Sequence, residues 1–215
     1  MPLQIFKIDK IPIKIHYSFF ISFLIIMALS LYNGGAIYAA YNSILFLILF
    51  ISVLLHELGH AFAAKKFGVS TRNITLYIFG GTAYLEKMPR DRKKEIIISL
   101  AGPLVNIVIL LLSIPFVIFK LPLVAEIAII NFIMGIFNLF PAFPMDGGRI
   151  LRAILSKFFG FNKATNIAIT TSRVFAISFL LLGIYYKFIS LVIVAAFLLI
   201  TTSAEKIRLD NSNNY

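Results

Sequence analysis

Long apolar runs alternate with short polar or basic stretches along nearly the whole chain. Six runs read as membrane spans: Tyr17 to about Leu31, Ala39 to Ala64, Ile96 to Phe119, Leu123 to Phe140, Ile167 to Tyr186 and Ile189 to Thr202. A helix needs roughly 20 apolar residues to cross a bilayer, and this pattern predicts about six crossings. A cleaved leader is the rival reading of the first run. Its apolar core is somewhat long for that, and no clear small-x-small cleavage site follows. Tyr32-Asn33-Gly34-Gly35 is a turn between the first two runs. Residues 1–14, with Pro2, Pro12 and three lysines, read as a juxtamembrane segment, and the polar residues after Thr202 as a tail.

Two stretches break the pattern. Residues 73–86 are rich in Ile, Thr, Tyr and Phe around Gly80-Gly81, which predicts a small β-hairpin. It is either an ordinary surface hairpin or a sheet edge able to pair with an unfolded peptide strand. Residues 138–149 run Asn138-Leu-Phe-Pro141-Ala-Phe-Pro144-Met-Asp146-Gly147-Gly148-Arg149. Two prolines and two glycines there must unwind the end of the fourth span. Unwound backbone at membrane depth is tolerated only against protein or a water-filled cavity. Residues 150–163 then predict a short basic amphipathic helix and turn. The fold class is an all-α polytopic membrane protein carrying one small hairpin.

Composition agrees with that class. Hydrophobic residues make up 60% of the 215 and charged residues 13%, which excludes an ordinary soluble domain. There is no cysteine, so any metal must be held by histidine and carboxylate. The net charge of +11 suggests nucleic acid until its placement is considered. With both termini on the side of the loops 65–94 and 147–173, only Lys120 and Lys187 of the 20 Lys and Arg fall on the opposite side. Such asymmetry obeys the positive-inside rule and puts both termini in the cytoplasm. The charge is explained by topology, and no nucleic acid is needed.

The second span carries His56-Glu57-Leu58-Gly59-His60. Residues four apart share a helix face, so His56 and His60 can reach one metal ion, with Glu57 beside them to take a proton from a water. These are two of only three histidines. An ionised acid in a lipid-buried helix costs roughly 2.5–3.5 kcal/mol on insertion scales, so chance is a poor explanation for Glu57. His56 lies about 13 Å from Lys65 along the helix axis at 1.5 Å per residue, and Asp146 ends a span returning to the same side. Histidines and aspartate therefore share a level in the cytoplasmic leaflet. Eliminating carboxylates at the wrong depth or in solvated segments leaves His16 and Asp146 as third ligand. The breaks at Pro144 and Gly147-Gly148 favour Asp146, and His16 reads as an interfacial residue bonding backbone or lipid.

These residues resemble the site-2 proteases, the intramembrane zinc metalloproteases. The resemblance covers the whole chain. His56 to His60 is similar to the family's HExxH, Ala101-Gly102-Pro103 with Asn106 to its GPxxN element, and Asn138, Pro144, Asp146 and Gly147 to its second signature. The hairpin near residues 73–86 is similar to the family's membrane-re-entrant β-element. The resemblance implies a single membrane-embedded metalloprotease core over residues 1–215, with neither the PDZ insertion nor the CBS pair some relatives carry. It implies one Zn2+ on His56, His60 and Asp146, with Glu57 as general base. Asn138 is a candidate for oxyanion or substrate contact, and Gly80 and Gly81 for substrate binding. Asn106 reads more simply as a helix–helix hydrogen bond. The expected substrate is a transmembrane segment of a tethered protein, unwound locally before cleavage in the bilayer of the cell membrane. A divalent-metal transporter using the same His/Glu/Asp groups is the competing class, though it has no use for a base beside its ligand.

Overall fold

The structure, a computed structural model, describes residues 2–78, 80–86 and 91–213. Its elements are β1 (Leu3–Ile8), β2 (Ile11–Ile15), α1 (Tyr17–Lys66), β3 (Thr71–Tyr77), β4 (Gly80–Leu85), α2 (Arg92–Ile118), α3 (Val124–Asn138), α4 (Asp146–Phe159), α5 (Phe161–Tyr185) and α6 (Ile189–Asn213). Phe79 in the expected hairpin and Met88 and Arg90 in the expected basic stretch lie outside the described residues.

Six helices are not six spans. Four of them, α1, α2, α5 and α6, are long and apolar enough to cross a membrane. The 15 residues of α3 would reach about 22 Å at 1.5 Å each, short of a ~30 Å hydrocarbon core. α4 is amphipathic and is not among the apolar helices. α1 is the opposite case, since 50 residues would extend about 75 Å if straight. It is broken at Gly35, whose φ of 72° and ψ of −167° are not helical. Phe19 packs on Phe50, and Phe23 on Phe46, so the halves run antiparallel about the Gly34-Gly35 turn. The turn expected at residues 32–35 is thus the fold point of one helical hairpin covering the first two runs.

The chain divides into two compact units. The first comprises residues 1–88 and 101–135. Its β-structure is larger than the single hairpin expected: a four-stranded sheet in the order β1-β2-β3-β4. β1–β2 and β3–β4 are antiparallel, while β2–β3 is parallel. The segment read as juxtamembrane therefore supplies two strands. Asp9 and Lys10 both take positive φ between them, the backbone of a tight hairpin turn. Parallel neighbours need a crossover, and here all of α1 provides it. Ile11, Ile13 and Ile74 of the sheet bury against Leu58 and Ala61 of α1. Phe19, Phe46, Phe50, Val53 and Leu76 form a second buried cluster.

The second unit comprises residues 89–100 and 136–215. α4 packs on α5, and α5 on α6. The unwound stretch is shorter than expected: it spans residues 139–145, and Gly147-Gly148 already belong to the first turn of α4. A Cβ on Gly147 would lie 2.2 Å from the Leu139 carbonyl oxygen, so only glycine lets α4 start against the unwound backbone. Phe143 donates its N–H to Ser172 Oγ at 2.8 Å, satisfying one group that the unwinding releases. Arg152 donates to Glu95 and Glu205, tying α4 to the start of α2 and to α6. Its guanidinium also lies over the rings of Phe143 and Phe161, at 5.2 and 4.9 Å. The residues read as a polar tail continue α6, with Lys206 bonded to Asp210 one turn on.

Candidate metal and catalytic site

Three faces of one turn of α1 meet three different neighbours. His56 and His60 point at α2, Glu57 at β4, and Leu58 and Ala61 at the strands below. Successive residues of a helix are rotated by about 100°, so this division follows from the HExxH spacing itself. His56 and His60 are buried, and their Nε2 atoms stand 3.1 Å apart. Two nitrogens bound tetrahedrally at about 2.0–2.1 Å from zinc lie roughly 3.3 Å from each other, so the pair fits one ion.

α2 makes room for this pair with a glycine. A Cβ on Gly102 would lie 2.3 Å from His60 Nε2 and 2.6 Å from His56 Nε2. The space in front of both imidazole nitrogens is therefore what the missing side chain leaves open. The Ala101-Gly102-Pro103 element, read in the sequence only as a similarity, has this steric reason.

The other nitrogen of His56 is also engaged. His56 Nδ1 lies 2.6 Å from Asn106 Oδ1, which can only accept, so Nδ1 carries the proton and Nε2 keeps its lone pair. Asn106 in turn donates to Asn131 Oδ1 at 2.8 Å. It does join helices, as the sequence suggested, but it also reaches the histidine. Asn131 was not singled out in the sequence. The signal available was an asparagine within an otherwise apolar run, and the structure buries it to 1% exposure.

Glu57 lies beside the histidines and is held by the sheet. Its Oε2 accepts a hydrogen bond of 2.8 Å from the Ala83 N–H of β4. Gly81 permits this closeness, since a Cβ there would lie 2.8 Å from Glu57 Cγ and from Val53 Cγ1. Gly80 has φ 130° and turns the chain into β4. The structure thus brings together His56, His60, Glu57 and Gly81 in the first unit. Asn138 and Asp146 belong to the second. Asn138 is the last residue of α3, and Asp146 is buried in the first turn of α4. His16 caps α1: its Nδ1 accepts from Ser18 N at 3.3 Å, and its ring packs near Tyr17 and Tyr77.

The model of Peptidase family M50 matches residues 44–122 and 121–182. The chain belongs to this family, the site-2 proteases. A zinc metalloprotease of Methanocaldococcus jannaschii is 42% identical over 201 residues, covering 91% of this chain and 58% of that protein. Stage IV sporulation protein FB of Bacillus subtilis is 34% identical over 155 residues, covering 66% of this chain and 50% of its own length. The chain thus spans 58% and 50% of the length of these two relatives. The solved site-2 protease of M. jannaschii superposes with a TM-score of 0.76 at 40% identity and covers 95% of each chain. With its apolar helices, this M50 chain is a multi-pass membrane protein.

Proposed function

We propose that this M50 chain is a zinc metalloprotease that hydrolyses a peptide bond within or near a membrane-spanning segment of a tethered substrate. The observation that carries this reading is the convergence of His56 and His60 Nε2 in an apolar helix, with the Glu57 carboxylate held alongside by Ala83. The sequence signature that follows the unwound stretch supports Asp146 as the third ligand. Two imidazoles and a carboxylate form a set of three that leaves zinc an open position, as catalytic sites require.

Zinc bound there would polarise the scissile carbonyl and bring the pKa of a water to about 7. The remaining work falls to the protein. Ala83 steadies the Glu57 carboxylate through Oε2, and this carboxylate takes the water proton and returns it to the leaving amine. Asn138 is placed by the sequence signature to donate to the developing oxyanion. A substrate helix must unwind before its peptide bonds can be reached. Gly80, Gly81 and the outer edge of β4 on either side of Ala83, whose N–H Glu57 takes, would take up the unwound strand by pairing with it. By the positive-inside rule both termini, and with them the site, belong to the cytoplasmic half of the cell membrane.

A divalent-metal transporter gives Glu57 no task. The deciding experiment is reconstitution of the chain with a panel of single-span substrates. Cleavage should require zinc and vanish in Glu57→Gln, which should still bind zinc. Wild-type cleavage by Glu57→Gln, or zinc uptake into vesicles without cleavage, would overturn the proteolytic reading.

A further inference from the structure

The amides behind His56 form a chain with a fixed direction. Asn131 Nδ2 donates to the backbone carbonyl of Ile127 at 2.9 Å and lies 3.1 Å from Ser52 Oγ. A carbonyl oxygen only accepts, so this contact settles which end of the Asn131 amide is nitrogen. Its oxygen must then face Asn106, which must present Nδ2. The oxygen of Asn106 is thereby turned to His56, whose Nδ1 must carry the proton. All three side chains are buried, at 4% exposure or less, so water is not at hand to satisfy a reversed arrangement.

We propose that Asn131 is a positioning residue for the metal site: anchored on Ile127, it holds Asn106 in the one orientation that keeps the Nε2 lone pair of His56 directed at the metal. This rests on His56 being a metal ligand. Without Asn131, the Asn106 amide can rotate by 180° and offer His56 a donor. The neutral imidazole then puts its proton on Nε2 and cannot bind metal until it changes tautomer. Partners of this kind behind a ligating histidine typically change metal affinity 10–100-fold.

Two substitutions separate this from simple helix packing. In Asn131→Ser the hydroxyl can bond the Ile127 carbonyl, as Ser113 bonds that of Ile109, but it is too short to reach Asn106. In Asn131→Asp a carboxyl oxygen still accepts from Asn106 Nδ2, so Asn106 keeps its orientation. Zinc affinity of the full chain is measured by chelator competition, and the His56 tautomer by 15N resonances of labelled histidine in zinc-stripped protein. Asn131→Ser should bind zinc about 10–100-fold more weakly and show both His56 tautomers, while Asn131→Asp keeps the wild-type values. Wild-type affinity and a single tautomer in Asn131→Ser, or equal losses in both variants, would overturn the proposal. His56→Ala is the parallel arm. If it binds zinc as tightly as the wild type, the ligand assignment fails. If it loses zinc while Asn131→Ser does not, only the positioning role fails.

Discussion

Glu57 and Ala83 are joined across two secondary structures: the carboxylate on helix α1 accepts the outward-facing N–H of strand β4 at 2.8 Å. An edge strand tolerates proline where its N–H points away from the sheet. Ala83→Pro should therefore leave the sheet intact while removing the donor that fixes Oε2. We expect cleavage to fall about tenfold or more, in keeping with the strength of hydrogen bonds to ionised groups. Zinc content by metal analysis should be unchanged. Loss of zinc from this variant would show that β4 supports the histidines as well.

Gly102 offers the converse experiment. Gly102→Ala places a methyl group 2.3 Å from His60 Nε2. The variant should fold, since alanine suits the helix better than glycine. It should bind zinc far more weakly and lose cleavage with it. Stoichiometric zinc in purified Gly102→Ala would mean that α2 stands further from the histidines.

Asp146 and His16 are separated by a paired substitution. Asp146→Asn should weaken zinc binding and abolish cleavage. His16→Ala should keep the metal and lose only a helix cap, a change of about 0.5–2 kcal/mol in stability. Full zinc in Asp146→Asn with none in His16→Ala would exchange their roles.

Arg152 is expected to govern stability. Arg152→Met strands Glu95, itself 1% exposed, without its partner. Breaking a buried pair in this way costs about 3–5 kcal/mol, visible as a lower unfolding midpoint of the solubilised protein. Arg152→Lys should recover only part of this, because lysine cannot reproduce the fork and the ring stacking together.

Orientation is tested by reporters. Fusions after Lys94 and Lys163 should read cytoplasmic and one near Pro122 external. Lys120 and Lys187 both sit in left-handed turns at chain reversals, with φ of 52° and 57°. A cytoplasmic reading at Pro122 would exclude the arrangement in which those two lysines are external.

Much of the site was legible because it is local. The i, i+4 spacing of His56 and His60 and the intervening Glu57 need only one helix, and Gly34-Gly35 marks its turn. What was missed depends on contacts between distant segments. β1 and β2 are short, basic and interrupted by Pro12, which argues against a strand inside a sheet, yet pairing with β3 makes β2 one. The partnership of Asn106 with His56, fifty residues away, has no periodicity to announce it. The end of the last helix, after Thr202, looked like a tail because its ion pairs, Arg152 with Glu205 among them, are invisible to a polarity profile.

The parallel pairing of β2 with β3 has a consequence for biogenesis. All fifty residues of α1 lie between these strands, so the sheet closes only after that helical hairpin has been synthesised. Contacts so far apart in sequence form late and slowly. A nascent chain that has inserted α1 already owns both histidines and Glu57, but it lacks the strand that steadies the carboxylate and the glycine that faces the imidazoles. The proposed site is therefore complete only once β4 and α2 have folded onto α1, and a chain halted partway through synthesis carries its motif without its machinery.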